Sequence, residues 1–275
     1  MEKRPNSRTN LDKAIQRLYG EREKFVNMRS LVANVIVGQF LLDAVAKGGS
    51  ALKLRYGDIA TRVTTDFDIA FKSDVEAVVD ALSAGLAVGW NGFTGTVVKE
   101  RPATPRNIDP AYVMKPYSVK LQYLHSPWCT VDLEVGFNEL GDAEAPEFEL
   151  SDEVLEVFRS LGFPDPKPVT LMSLEYQIAQ KLHGATTPGG SRAHDLIDLQ
   201  IVINRFKPDY LKLHRLCRRL FAYRKRQPWP TKITGGPDWA AIYDQERGDL
   251  EVLQSVNEAI DWANALITKI DETNG

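Results

Sequence analysis

Two aspartates two residues apart, Asp66 and Asp68, lie in the run Arg-Val-Thr-Thr-Asp-Phe-Asp-Ile-Ala-Phe at 62–71. The β-branched and aromatic residues of that run predict a strand. Alternation along a strand sends residues i and i+2 to one face, so both carboxylates project together. Two like charges held that close repel unless a cation neutralises them, and a divalent ion does this best. Mg²⁺ or Mn²⁺ takes hard oxygen ligands and commonly completes its shell with phosphate oxygens. Metal-assisted phosphoryl transfer is the chemistry such a pair can perform. Taken alone, an Asp-x-Asp is equally what an exposed strand carries, so its company decides.

Gly48-Gly49-Ser50 ends sixteen residues before Asp66. Two residues without β-carbons let a phosphate approach main-chain N–H groups, and the serine hydroxyl adds a donor or caps the short helix predicted for 50–56. The run Cys-Thr-Val-Asp-Leu-Glu-Val at 129–135 predicts a second strand on which Asp132 and Glu134 share a face. Asp132 is the favoured third carboxylate, against the reading of both as a solvent-facing stripe. Lys181 sits on a helical stretch whose core face is Leu174, Ile178 and Leu182, and a lysine is a compact charge able to hold a β- or γ-phosphate. Beyond the loop at 186–191, Arg192, Asp195 and Asp198 are spaced by three and share a helix stripe. They either pair with one another, or Asp195 orients Lys181 or reaches a nucleotide. The four histidines and the two cysteines, Cys129 and Cys217, show no zinc spacing, and neither Walker A nor Gly-x-Gly-x-x-Gly is present.

The elements that must position these residues are readable in outline. Apolar periodicity predicts helices over 9–28 and 29–46, the second buried through Leu31, Val35, Leu41, Leu42 and Val45. Strands follow at 62–71, 93–99, 117–125 and 129–136, with a helix capped at Ser73-Asp74 and a Pro-rich loop at 102–110. Ser151 caps a helix to about 160, and 162–168 reads as a linker. From there the pattern is helical: 171–184, 193–205, 209–226 and 247–271. The fold class is therefore a mixed α/β front half with a small sheet and a mostly helical back half. The boundary falls between 140 and 170 and is placed at 150, giving units 1–150 and 151–275.

The composition excludes several classes. At 275 residues, 43% apolar and 26% charged, the chain is an ordinary globular protein, and no eighteen-residue apolar run exists to span a membrane. The start lacks the apolar region of a secretory signal, and two unpaired thiols suit a reducing cytoplasm. The net charge of −3 conceals an asymmetry: residues 205–226 carry nine basic residues against one acid, Asp209. That segment is a solvated helix face or a surface for a polyanion. On the second reading Arg215, Arg218 and Arg219 are candidate RNA contacts, with Lys212 on the same face and Tyr210, Phe221, Tyr223 and Trp229 available to stack on unpaired bases.

Lys-Gly48-Gly49-Ser50-Ala-Leu52, Arg62-Val-Thr64-Thr-Asp66-Phe-Asp68-Ile, Lys181 and Arg192-x-x-Asp195-x-x-Asp198 together resemble the AbiEii-type nucleotidyltransferase toxins, a group that includes the MenT toxins. The resemblance extends over about 150 residues and places the chain in the polymerase-beta-like nucleotidyltransferase superfamily. It implies a bilobed toxin of a toxin–antitoxin pair with a cognate antitoxin, acting in the cytoplasm. Asp66 and Asp68 would then be metal ligands, with Asp132 a weaker third. Gly48, Gly49, Ser50, Arg62, Thr64 and Lys181 would meet the nucleotide, and Asp195 would be the second-lobe catalytic aspartate. The implied reaction transfers NMP from an NTP to an RNA acceptor, the 3′ end of tRNA, and so blocks translation. The alternatives are an aminoglycoside-type enzyme using the same metal centre, and an inactive binding module.

Overall fold

Glycine and hydroxyl caps punctuate the amino-terminal helices. Helix α1 (Arg8–Tyr19) starts at Ser7, whose hydroxyl accepts from the Asn10 N–H, and stops at Gly20 with φ +68. Helix α2 (Arg22–Gly38) follows at once. The break thus falls at Gly20 rather than after residue 28, because Gly20 takes the left-handed backbone that ends a helix without a Cβ penalty. The end of the expected second helix is a strand, β1 (Ala44–Ala46), and Leu42 is exposed rather than buried. The structure is a computed structural model that describes residues 3–71, 74–101 and 114–273. The expected loop at 102–110 and Ser73 lie outside those residues; Asp74 of the expected Ser73-Asp74 cap accepts from the Ala77 N–H.

The remaining strands are β2 (Asp66–Phe71), β3 (Phe93–Lys99), β4 (Lys115–Tyr123), β5 (Ser126–Gly136), β6 (Glu147–Glu149) and β7 (Val169–Leu171). They form one mixed sheet in the order β3-β4-β5-β2-β1-β7-β6, parallel at β2/β5 and β1/β7 and antiparallel elsewhere. Helix α3 (Gly48–Tyr56) lies between β1 and β2 in sequence, α4 (Val75–Val88) precedes β3, and α5 (Asp152–Ser160), capped by Ser151, precedes β7. Phe67 and Ile69 of β2 and Val131, Leu133 and Val135 of β5 send one sheet face into a core shared with Leu31, Val35 and Ile36 of α2. Burying each of those side chains stabilises the fold by roughly 1.5–3 kcal/mol, and it forces the alternate residues of β2 and β5 onto the opposite face.

The chain divides into two compact units. One takes the chain up to Asp58 with Val63–Met172; the other takes Ile59–Arg62 and the chain from Ser173. The division after Met172 lies beyond residue 150 because β7 is still paired into the sheet with β1 and β6. In the second unit α6 (Leu174–Thr186), α7 (His194–Arg205), α8 (Tyr210–Arg224), α9 (Trp239–Arg247) and α10 (Val256–Glu272) pack on one another. The helix expected over 247–271 begins only at Val256, and α9 before it was not expected. Gly248, at φ +49, ends α9, and a capping box between Ser255 and Glu258 starts α10. Cys129 and Cys217 are free thiols, and among the described residues no helix is long and apolar enough to cross a membrane.

Candidate functional site

The parallel register of β2 on β5 sets Asp66 opposite Asp132 and Asp68 opposite Glu134. Register partners share a face, so the alternation that buries Phe67 and Leu133 turns four carboxylates to the other side. Asp66 and Asp132 are exposed, whereas Asp68 and Glu134 are half-buried. The Glu134 carboxyl is pushed above its ordinary range by burial first, then by the charges of Asp68 and Asp66, with Lys47 opposing them. Glu134 is therefore the carboxylate electrostatically tied to the Asp66–Asp68 pair, while the favoured Asp132 stands at the exposed rim.

Among the described residues no group of three or more His, Cys, Asp or Glu is arranged to hold a metal ion. The donor set does fit a hard cation held by two carboxylates and completed by phosphate oxygens, the usual way of binding Mg²⁺. The crowding recorded at Glu134 is what such a cation would relieve.

The glycine turn is fastened to this strand. The Lys47 N–H donates to the Asp68 carbonyl at 2.9 Å, and the Ser50 hydroxyl donates to the Asp66 carbonyl. Ser50 is 1% exposed and lies inside α3 rather than capping it, and its hydroxyl pins α3 to β2. Gly48 opens α3 at φ +67, and a β-carbon there would come 2.4 Å from Asp68 Oδ2. The first amides of a helix lack intrahelical acceptors and carry its positive end, so Gly48 lets the Asp68 carboxylate sit against an anion-binding terminus. Gly48→Ala should therefore displace Asp68. Strained left-handed backbone costs roughly 1–3 kcal/mol, so melting should show a modest loss of stability and steady-state assays a fall in nucleotide transfer of about tenfold or more. Wild-type turnover in this variant would separate Gly48 from the site.

The second unit holds an ion cluster of two buried carboxylates and three cations. Lys181 Nζ lies 3.3 Å from Asp195 Oδ1 and 2.5 Å from Asp198 Oδ2. Arg62 donates to both oxygens of Asp198, from Nε at 3.0 Å and Nη2 at 3.2 Å. Arg192 Nε donates to Asp195 Oδ2 at 2.7 Å. Burial would raise the Asp195 carboxyl, but Lys181 and Arg192 overcome it and hold it at about 2. The same contest, with Lys181 and Arg62, leaves Asp198 below its ordinary range. Both readings of the Arg192-Asp195-Asp198 run are combined here: Arg192, which lies just before α7 rather than on its stripe, pairs with Asp195 in the helix's first turn, and Asp195 also touches Lys181 on α6. Arg62 is held by Asp198 within the cluster, while Thr64 is half-buried in the other unit. Sequence reasoning missed Gly184, where a β-carbon would come 2.7 Å from Asp195 Oδ2 and 3.2 Å from Arg192 Nε. A glycine one turn from the catalytic-candidate lysine was the available signal.

Helix α8 buries Leu213, Leu216, Cys217, Leu220 and Phe221 and exposes Lys212, Arg215, Arg218 and Arg219. The basic residues of 205–226 are thus largely an outer face, with Asp209 as the cap accepting from the Leu211 and Lys212 N–H groups. Of the expected stacking residues, Phe221 is core, edge-on to His183, and cannot meet a base. Tyr210 already carries the Lys269 ammonium over its ring at 4.3 Å.

The family model for the nucleotidyl transferase AbiEii toxin of type IV toxin–antitoxin systems matches residues 30–268. No curated protein matches in sequence. In structure the chain is similar to MenT4, a nucleotidyltransferase toxin from Mycobacterium tuberculosis, at 16% identity and a TM-score of 0.53, over 97% of this chain and 98% of that one. It also matches JHP933 from Helicobacter pylori at 15% identity and a TM-score of 0.44, over 92% and 94%. At 16% identity the likeness to MenT4 speaks to the fold alone.

Proposed function

The chain belongs to the AbiEii family of nucleotidyltransferase toxins of type IV toxin–antitoxin systems, and from that premise we propose that it transfers NMP from an NTP to the 3′ end of an RNA acceptor, tRNA, with Mg²⁺ or Mn²⁺, and so blocks translation in the cytoplasm. A cognate antitoxin is the partner that restrains it. The observation that carries this reading is the crowding of Asp66, Asp68 and Glu134 on one sheet face beside the Gly48 turn.

Asp66 and Asp68 hold the cation, which supplies neutralisation of phosphate charge when bound. In the transfer, the acceptor hydroxyl oxygen forms a bond to the α-phosphorus of the NTP, the bond to the pyrophosphate leaving group breaks, and the hydroxyl proton passes to a carboxylate. Glu134, half-buried and in register with Asp68, is the carboxylate proposed to accept that proton, with Asp132 at the exposed rim as the alternative. The amides at the start of α3, at Gly48 and Gly49, take a phosphate oxygen. Lys181 contributes charge to the triphosphate, and Asp195 acts on it as a positioning residue through their contact. Arg215, Arg218 and Arg219 neutralise RNA phosphates from the outer face of α8.

Incubation with total RNA, Mg²⁺ and each labelled NTP separately, alongside an aminoglycoside, tests the reading. Label should enter an RNA of tRNA size and vanish in Asp66→Ala. Label on the aminoglycoside alone would replace RNA with a small-molecule acceptor, and label on neither would leave an inactive binding module.

A further inference from the structure

A groove lies where the chain leaves α8, and the outer-face cations do not account for it. Lys225 turns the backbone left-handed at φ +53, its N–H donating to the Phe221 carbonyl at 3.0 Å. The residues that follow fold back against the helix end. The space between is about 530 Å³ and is lined by Arg218, Phe221, Lys225, Arg226, Gln227 and Trp229, among others. That is within the roughly 300–1,000 Å³ of small-ligand sites.

Its floor is built and its rim is charged. Gln227 is 7% exposed and its Nε2 donates to the His183 carbonyl at 2.8 Å and to Thr186 Oγ1 at 2.9 Å. Phe221 and Trp229 meet edge to face at 5.1 Å, and the Trp229 indole N–H donates to Asp271. His183 beneath is held neutral, down to about 3, by burial and then by the charges of Arg224 and Arg226. Arg218, Lys225 and Arg226 are exposed, and among the described residues none of them pairs with a carboxylate. Lys212 differs, lying 3.4 Å from Glu175. The carboxyl-terminal end of a helix offers only about half a negative charge, which leaves most of three cations uncompensated. Uncompensated cations around an aromatic wall are the chemistry of a single-stranded nucleic-acid site.

We propose that this groove seats an unpaired, phosphate-flanked nucleotide of the acceptor RNA, with Arg218, Lys225 and Arg226 on the phosphates and Trp229 against the base. The proposal rests on the RNA-acceptor reading above and adds where the second unit grips the strand. The test is fluorescence anisotropy with a short labelled single-stranded RNA at several salt concentrations, with melting curves to confirm folding. Three proteins are compared with wild type. Arg218→Gln/Lys225→Gln/Arg226→Gln empties the rim, Lys212→Gln/Arg215→Gln/Arg219→Gln removes equal charge elsewhere on α8, and Ala222→Trp fills the groove with no loss of charge.

The rim triple and Ala222→Trp should each weaken binding tenfold or more, and the rim triple should lower the salt slope by about 2, at about 0.7 per lost single-strand phosphate contact. The outer-face triple should lose less. Equal loss in both triples, or wild-type binding by Ala222→Trp, would overturn the groove in favour of a diffuse field while the RNA reading stands. Wild-type RNA binding by the rim triple would likewise overturn it. Absence of RNA binding by the wild type at low salt would bring down the RNA-acceptor reading and the groove together.

Discussion

Asp66→Ala and Asp68→Ala should each reduce nucleotide transfer by about three orders of magnitude or more while leaving the fold intact. A thousandfold loss corresponds to about 4 kcal/mol of transition-state stabilisation, within what a bound divalent ion contributes. The fold should survive because Asp66 is exposed and Asp68 half-buried, and because their neighbours Phe67 and Ile69 keep the apolar face of β2 buried. Removal of one charge should even relax the crowding that raises Glu134. Glu134→Gln should then lower the rate by roughly 10²–10⁴, the usual loss of a general base, and should flatten the acidic limb of the pH–rate profile. Asp132→Asn should do far less. The checks are turnover with labelled NTP, thermal melting and titration with the divalent ion. A folded Asp66→Ala protein with wild-type turnover would remove the metal from this sheet face, and a larger loss in Asp132→Asn than in Glu134→Gln would restore Asp132 as the third carboxylate.

What could be read from the chain follows from the range of the signal. The carboxylate face was legible because alternation is local: Asp66 and Asp68 sit two apart, as do Asp132 and Glu134, and each pair is flanked by apolar residues. Which of Asp132 and Glu134 couples to the pair was not legible, because that depends on the parallel register of β2 on β5, set by residues more than sixty positions apart. Strand β1 was hidden for a different reason: Ala44–Ala46 prolongs an apolar helical run and is too short for a period of two to show. In the second unit, spacing by three placed Asp195 and Asp198 together on α7, since that too is local, whereas Arg192 falls before the helix and reaches Asp195 from there. The bidentate partner of Asp198 is Arg62, 136 residues earlier, and no periodicity connects them. Glycines 48 and 184 look like turn and helix residues in the sequence, yet each leaves room for an aspartate carboxylate.

Stability and catalysis should come apart within the Lys181 cluster. Asp198 is 1% exposed and accepts from Lys181 and, through both oxygens, from Arg62. Asp198→Ala leaves Arg62 without its bidentate partner and Lys181 with Asp195 alone, and breaking a buried ion pair from one side costs about 3–5 kcal/mol. That is a large part of the roughly 5–15 kcal/mol that holds a domain together. Lys181→Ala should cost less, because Asp195 keeps Arg192 and Asp198 keeps Arg62. In transfer the order should reverse: Lys181→Ala removes the charge assigned to the triphosphate, so it should raise KM for NTP and lower kcat, even under conditions where it is fully folded. The pH dependence carries the same sign. Asp195, held at about 2, and Asp198, held below its ordinary range, bind fewer protons folded than unfolded. Their stabilising effect is therefore complete above the unfolded carboxylate pKa of about 3.9 and drains away as pH falls towards 2, on the order of 2 kcal/mol for Asp195 alone. Denaturant midpoints from pH 7 to pH 2 for wild type, Asp198→Ala and Lys181→Ala measure this, beside NTP kinetics at neutral pH. Asp198→Ala should start less stable and lose less on acidification. If Asp198→Ala kept the wild-type midpoint, or if Lys181→Ala were the less stable protein with unchanged kinetics, Lys181 would be a strut between α6 and α7, and the triphosphate would need another cation.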